Sequence, residues 1–233
     1  MLDPAEFSQA VLSWFDVHGR KDLPWQQNPT AYRVWVSEIM LQQTQVTTVI
    51  PYYQRFMQHF PDMADLARAS EDEVLGLWAG MGYYSRARNL HRAAQLVMDN
   101  YQGDFPMQLE ALEALPGIGR STAGAIQALA GEQRGVILDG NVKRVLARHF
   151  AVDGWPGQSA VAKQLWQLAE THTPDTRAGD YAQAMMDLGA TLCTRSRPGC
   201  ASCPLAGSCE ACAQDSTARY PGKKPRKAMP RRE

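Results

Sequence analysis

All five cysteines of this 233-residue chain, Cys193, Cys200, Cys203, Cys209 and Cys212, fall within twenty residues, and the 192 residues before them contain none. A disulfide framework is spread through a secreted chain; crowded thiols in a reducing compartment are metal ligands. This constrains the fold: unliganded thiols are the poorest reading, so the last quarter of the chain is expected to be organised by a metal group, and the rest to fold on its apolar core. The run Cys193-x6-Cys200-x2-Cys203-x5-Cys209 supplies four thiolates, which suit zinc or an iron–sulfur cluster. A zinc site is built equally from Cys200, Cys203, Cys209 and Cys212, although its central gap of five residues is short for a finger. The six-residue first gap suits a loop around a larger group, so the spacing favours a [4Fe–4S] cluster. Arg195 and Arg197 in that loop balance the charge of an anionic cluster or contact a phosphate.

The rest of the chain reads as helix. Apolar spacing of 3.6 residues recurs at Phe7 to Phe15, Ser85 to Asn100, Asn141 to Phe150, Ser159 to Glu170 and Tyr181 to Leu192. Tyr32 to Val49 is apolar on more than one face and is expected to be one long buried helix. Pro51 is expected to open the next helix, which runs to Phe60. Shorter pieces are expected over 65–69, 72–78 and 109–115, with Ser70 and Glu73 at capping-box spacing. Ser121 to Ala130 is small and apolar, fit for close packing. Only Val136 to Leu138 reads as extended, so the expected class is all-α. Apolar residues make up 45% of the chain, enough for a core. No apolar run approaches the roughly 18 residues of a membrane span. Asp3 and Glu6 interrupt what a signal peptide would keep apolar, so the expected compartment is the cytosol.

Net charge is zero, but its distribution is uneven. Residues 219–233 hold seven basic groups and one acid; the remainder holds 17 basic and 23 acidic residues. A body of that sign is no nonspecific nucleic-acid binder, and any such binding must use local patches. One is Leu115-Pro116-Gly117-Ile118-Gly119 before the helix from Ser121. Helix, glycine turn and helix make a helix–hairpin–helix whose backbone N–H groups can grip a DNA phosphate; the same residues also suit an ordinary turn between helices. Two carboxylates carry chemistry. Glu38, set in Val34-Trp35-Val36-Ser37-Glu38-Ile39-Met40-Leu41, is expected to have a raised pKa, the state a general acid near neutral pH requires. Asp139 follows Val136-Ile137-Leu138 at the start of a helix, where it also suits an N-cap.

These segments, with Leu23-Pro24-Trp25, Ser37 to Val46, Gly82-Tyr83-Tyr84-Ser85-Arg86-Ala87, Leu138-Asp139-Gly140-Asn141-Val142-Lys143-Arg144 and the four cysteines, resemble the helix–hairpin–helix DNA glycosylase superfamily. Within it they are most similar to the MutY family of adenine DNA glycosylases. The resemblance covers about Phe7 to Lys224. It implies a six-helix barrel domain over 29–137 and a [4Fe–4S] cluster domain over 138–212, which the N-terminal helix within 1–28 joins. A basic linker or tail follows over 213–233, and the active site is implied between the two domains. The cluster would be held by Cys193, Cys200, Cys203 and Cys209, leaving Cys212 spare. The implied substrate is double-stranded DNA with adenine mispaired opposite 8-oxoguanine or guanine, bound by a monomer that flips the adenine out and hydrolyses its N-glycosidic bond.

The resemblance also implies residue roles. Glu38 would protonate adenine N7, Asp139 would stabilise the oxocarbenium-like sugar, and Asn141 would order nearby water. Gln43 and Tyr83 would wedge into the duplex, and Gly117, Ile118, Gly119, Ser121, Arg195 and Arg197 would contact DNA. Bifunctional relatives of the endonuclease III type carry a lysine nucleophile where this chain has Ser121. A hydroxyl forms no Schiff base, so true AP-lyase activity is not expected. The family usually continues into a second, MutT-like domain beyond the point where this chain stops, so discrimination for 8-oxoguanine is expected to weaken. Three other readings compete. A mismatch thymine glycosylase shares the layout. A non-enzymatic damage-binding iron–sulfur module would not need Glu38 and Asp139. A zinc-stabilised structural protein would be colourless.

Overall fold

The structure is a computed structural model that describes residues 2–131 and 133–225. Arg226, Lys227, Arg231, Arg232 and Glu233 of the expected tail lie outside the described residues. Among the described residues all regular structure is helical and no β-strand forms, in agreement with the all-α expectation. No helix among them is long and apolar enough to cross a membrane. The chain divides into two compact units.

One unit spans Arg20–Ile137 and Asp175–Ala182. Its centre is α2 (Ala31–Leu41), where Val34, Trp35, Val36, Ile39 and Met40 are all buried. A helix apolar nearly all round must be enclosed. Enclosure comes from α3 (Val46–His59), α6 (Ser85–Tyr101) and α8 (Arg120–Ala130). In α8 the small residues Ala123, Gly124 and Ala125 permit close approach. The short helices α4 (Met63–Arg68), α5 (Glu71–Trp78) and α7 (Leu109–Glu113) complete the layer. Ser70 caps α5 in the expected box: its backbone N–H donates to Glu73 Oε2 at 2.8 Å, and its Oγ accepts from the Glu73 N–H at 3.3 Å.

The single helix expected over 32–49 is in fact two. Gln42 to Gln45 turn the chain, with Gln43 in the left-handed region at φ 59° and the Thr44 N–H donating to the Leu41 carbonyl. No glycine or proline marks this break; the periodicity simply runs across it. Pro51 does not open a helix but sits inside α3. Its missing N–H would have paired with the Thr47 carbonyl. Both residues lie on the exposed side.

The other unit comprises the described parts of Met1–Gly19, Leu138–Pro174 and Gln183–Glu233. It packs α1 (Pro4–His18), α9 (Gly140–His149) and α10 (Ser159–His172) together. Asp3 and Glu6 form a capping box around Pro4, which fixes the start of α1. Phe7 of α1, fully buried, meets the rings of His149 and His172 edge-on, each at 4.9 Å between centroids. From Gln183 onward this unit takes up the end of α11 (Ala178–Asp187), which passes into a wider turn at Leu188–Leu192 that leads to Cys193. The short α12 (Glu210–Ala213) follows the cysteine run.

The expectation of a loose linker from residue 213 fails as far as Lys224. Tyr220 is buried, the Gly222 N–H donates to the Gly154 carbonyl at 3.0 Å, and the Lys224 ammonium lies over the Trp155 ring. The segment is held because its carbonyls serve a buried arginine, described next.

Candidate active site and thiol cavity

Asp139 is the N-cap of α9. Its Oδ1 accepts from the Val142 N–H at 2.8 Å, and its Oδ2 accepts from Asn141 Nδ2 at 3.1 Å. Asn141 Oδ1 in turn accepts from an Arg144 Nη at 2.8 Å. Burial raises the Asp139 pKa, while the hydrogen bonds from Val142 and Asn141, with the charge of Arg144, oppose that shift. The result is a carboxylate with both oxygens pinned and partly stripped of water, an arrangement suited to stabilising a cation. Gly189 makes room for it: a Cβ there would stand 2.5 Å from the Cβ of Asn141. The expected helix cap forms at Asp139, and the carboxylate it fixes is the one singled out from the sequence as a candidate catalytic group.

Arg144 extends this chain of contacts. Its Nε donates to the Cys193 carbonyl at 2.7 Å and an Nη to the Gly189 carbonyl at 2.6 Å. One turn later, the buried Arg148 donates to the carbonyls of Thr194, Arg195, Thr217 and Tyr220, and to Cys193 Sγ at 3.3 Å. Residues 141, 144 and 148 share one face of α9 by the i, i+3, i+7 rule. Neither arginine was assigned a role from the sequence. The signal was there: two arginines four apart on a helix whose Val142, Val145, Leu146 and Ala147 face the core.

The five cysteine thiols, all free, line one cavity of about 30 Å³ whose other walls include Val145, Leu188, Leu192 and Leu205. Burial first, then the neighbouring sulfurs, push the Cys200, Cys203 and Cys209 thiols up, Cys203 to about 11. Such a set becomes thiolate only around a cationic group. Among the described residues no three His, Cys, Asp or Glu side chains converge as one bound ion requires. The soft sulfur donors that line this void suit an iron–sulfur group or zinc alike. Arg195 and Arg197 are exposed in the loop above, with the Arg197 carbonyl accepting from Thr194 Oγ1 at 2.6 Å.

In the other unit, Glu38 is half-buried on α2 between the buried Ser37 and Ile39. Gln43 and Tyr83 are both exposed and both in the left-handed region, at φ 59° and 51°. A non-glycine residue held there costs about 1–3 kcal/mol and persists only where its surroundings fix it. Arg86 does so. From inside the fold it donates to the carbonyls of Ile39, Met40, Gln42 and Gly82 and to Thr44 Oγ1, and it lies over the Trp78 and Tyr83 rings. One guanidinium thereby ties the Gln43 turn to the Tyr83 turn. Its role too was missed, although Arg86 heads the stripe Leu90, Ala93 and Val97 on the buried face of α6.

The hairpin forms as expected between α7 and α8. Leu115 and Ile118 anchor it in the core, Gly117 turns at φ 80°, and the exposed Gly119, with no side chain to block approach, starts α8. Ser121 is half-buried in the first turn of that helix.

Residues 36–171 match the model of the HhH-GPD superfamily of base excision DNA repair proteins. The chain is 46% identical over 226 residues to an adenine DNA glycosylase of Buchnera aphidicola subsp. Acyrthosiphon pisum, covering 97% of this chain and 65% of that protein. It is 48% identical over 214 residues to the human adenine DNA glycosylase, covering 88% of this chain and 39% of that one. The chain therefore spans less than two thirds of the length of either. Among solved structures it is similar to a thermostable thymine-DNA glycosylase, with a TM-score of 0.81 at 27% identity over 91% of this chain and 97% of that one. It also shares the fold of endonuclease III, solved as a non-covalent DNA complex, with a TM-score of 0.75 at 20% identity over 92% and 99% of the two chains. With more than half of its length inside the family model, and with the hairpin and the capped aspartate in place, the chain belongs to the HhH-GPD superfamily of base excision DNA repair proteins.

Proposed function

We propose that the protein is a monofunctional adenine DNA glycosylase that acts, as a monomer, on adenine opposite 8-oxoguanine or guanine in duplex DNA. The observation that carries the reading is Asp139, fixed through both oxygens at the start of α9 and steadied by Asn141 and Arg144. The names of relatives at 46% and 48% identity support it. Gln43 and Tyr83 wedge the duplex open, and the Gly117–Gly119 hairpin with Ser121 grips a phosphate. Glu38, protonated, gives its proton to adenine N7. The bond from the sugar C1′ to the base then breaks, with its electrons going to adenine. Asp139 stabilises the cationic sugar, and Asn141 orders the nearby water. Glu38 takes a proton from that water as its oxygen bonds to C1′, which restores the acid and leaves an abasic site. Ser121 supplies no amine, so the backbone stays intact.

In this reading 29–137 is the six-helix barrel domain and 138–212, joined by the helix within 1–28, is the cluster domain. Cys193, Cys200, Cys203 and Cys209 hold a [4Fe–4S] cluster. When bound it supplies no step of the hydrolysis; it orders the loop that presents Arg195 and Arg197 to phosphate. The test is single-turnover cleavage of a duplex with one A·8-oxoguanine pair, with and without alkali, beside Glu38→Gln. Breaks only after alkali, slowed by about 10²-fold or more in the variant, are expected. Breaks without alkali would reveal a lyase. Release of thymine from T·G, with adenine untouched, would establish instead the thymine glycosylase that the structural likeness at 27% identity favours as second reading.

A further inference from the structure

A cleft of about 420 Å³ opens in the first unit between the turn Pro24–Gln26, the start of α2 and the second half of α3. Its size lies within the roughly 300–1,000 Å³ of small-molecule sites. Arg33 and Tyr53, which line it, stand roughly 10–12 Å along α2 and α3 from the turn that carries Gln43, so the cleft is no part of the proposed duplex wedge. Tyr53 is 3% exposed, Trp25 meets its ring edge-on at 5.5 Å between centroids, and its hydroxyl has no hydrogen-bond partner. A buried hydroxyl is left so only where a water or a ligand completes it. The neighbouring phenols are both paired, Tyr32 to the Phe60 carbonyl at 2.8 Å and Tyr52 to the Ala79 carbonyl at 3.0 Å. Arg33 is anchored by the Gln27 carbonyl, which accepts from its Nη1 at 2.9 Å, and no carboxylate among the described residues pairs with it. Its charge acts on the Tyr53 hydroxyl, opposing the rise in pKa that burial causes there. Gln54 and Gln58, four apart on α3, add two amides on one face, and Pro24 and Met57 add apolar wall.

We infer that this cleft binds a small organic acid, whose carboxylate pairs with the Arg33 guanidinium and accepts from the Tyr53 hydroxyl. The Gln54 and Gln58 amides hold the remaining polar groups of the ligand, and its apolar body lies against Pro24 and Met57. A guanidinium matches a planar carboxylate because two parallel N–H groups meet its two oxygens. The apolar walls favour an acid with a hydrocarbon or aromatic body over bare phosphate. The binding is non-covalent and adds no step to base release, so the inference goes beyond the glycosylase reading and does not depend on it.

The experiment titrates benzoate into the isotope-labelled protein and follows the side-chain amides of Gln54 and Gln58 and the Nε–H of Arg33 by NMR. Saturable binding that moves these signals, and not those of Gly117–Gly119 or Arg195, is expected. Benzamide, the neutral isostere, should bind about ten-fold more weakly or worse, and Arg33→Gln should weaken benzoate to the same degree. Tyr53→Phe should weaken benzoate by about five-fold or more. Inorganic phosphate should bind more weakly than benzoate. Without benzoate, Tyr53→Phe should melt no lower than wild type, because its hydroxyl has no partner to lose. The inference is overturned if benzoate does not bind, if benzamide or phosphate binds as tightly, or if the signals that move are those of the hairpin or the Arg195 loop. It is overturned equally if Arg33→Gln, folded by circular dichroism, binds benzoate like wild type; should that variant not fold, Tyr53→Phe carries the test. A lower melting point for Tyr53→Phe would reveal an internal partner for the hydroxyl and overturn it too. Benzoate binding is read without DNA, so this inference and the glycosylase reading fail separately.

Discussion

Arg86→Met tests the link between packing and the two exposed turns. Methionine keeps an unbranched apolar stem of similar length, so the change removes the fork without opening a large cavity. Two of the acceptors, the Ile39 and Met40 carbonyls, are buried; the Gln42 and Gly82 carbonyls and Thr44 Oγ1 are part-buried and regain water. A buried carbonyl left without a donor costs about 1–3 kcal/mol, so the pair costs about 4 kcal/mol. Burial of the guanidinium, which lowers the Arg86 pKa, is itself a cost that the variant relieves. The net loss is then about 3 kcal/mol, and a melting point about 6–12 °C lower is expected for a chain of this size. Gln43 and Tyr83 should relax out of the left-handed region, and the duplex affinity should fall by about ten-fold, equivalent to about 1.4 kcal/mol. Thermal melting followed by circular dichroism reads the first effect, and fluorescence anisotropy with a mismatched duplex reads the second. Arg86→Lys restores charge but not a planar fork, and should recover less than half of either. The reasoning is refuted if Arg86→Met melts with wild type and binds the duplex as tightly.

Three further outcomes follow from the other unit. Gly189→Ala places a methyl group 2.5 Å from the Cβ of Asn141, so it should slow base release by about ten-fold or more while the protein stays folded, as single-turnover rates and circular dichroism would show. Asp139→Asn keeps an N-cap but removes a charge whose folded pKa lies above its unfolded value; at neutral pH that charge opposes folding, so the variant should melt no lower than wild type while activity is lost. His149 is buried with neither ring nitrogen paired, and burial, then His172, pushes its pKa down from 6.5 to about 4. Its unfolded state therefore binds a proton first as pH falls. Stability present above 6.5 should drop by on the order of 3 kcal/mol by pH 4, and His149→Leu should flatten that slope in urea titrations.

The sequence made the helices legible wherever an apolar stripe was bounded by a cap, as at Ser70 or Asp139. It also made legible every cysteine that lines the cavity. It failed at Gln42–Gln45, where a break carries no glycine or proline. There the left-handed residue is Gln43, held from outside by Arg86, so its conformation is a tertiary property with no local signature. The docking of residues 217–224 was hidden for the same reason. Polar, proline-containing composition reads as linker, but the segment is fixed by the carbonyls it lends to Arg148, 69 and 72 residues away in sequence.

Arg86 and Arg148 are two solutions to one physical problem. Each is buried, and none of the acceptors named for either is a carboxylate. Both serve main-chain carbonyls that secondary structure leaves orphaned: the last carbonyls of α2 for Arg86, and the turns around Cys193 and Tyr220 for Arg148. A buried carbonyl without a donor is costly, so an irregular segment can stay fixed inside a fold only if something supplies several donors at once. A planar guanidinium has five in a rigid fork; an ammonium has three on one flexible point. A carboxylate beside it would draw the donors away from the backbone and free the turn it holds. With its donors spent on these carbonyls, each arginine acts as a clamp, on the turn that carries Gln43 in one unit and on the loop that carries Arg195 and Arg197 in the other.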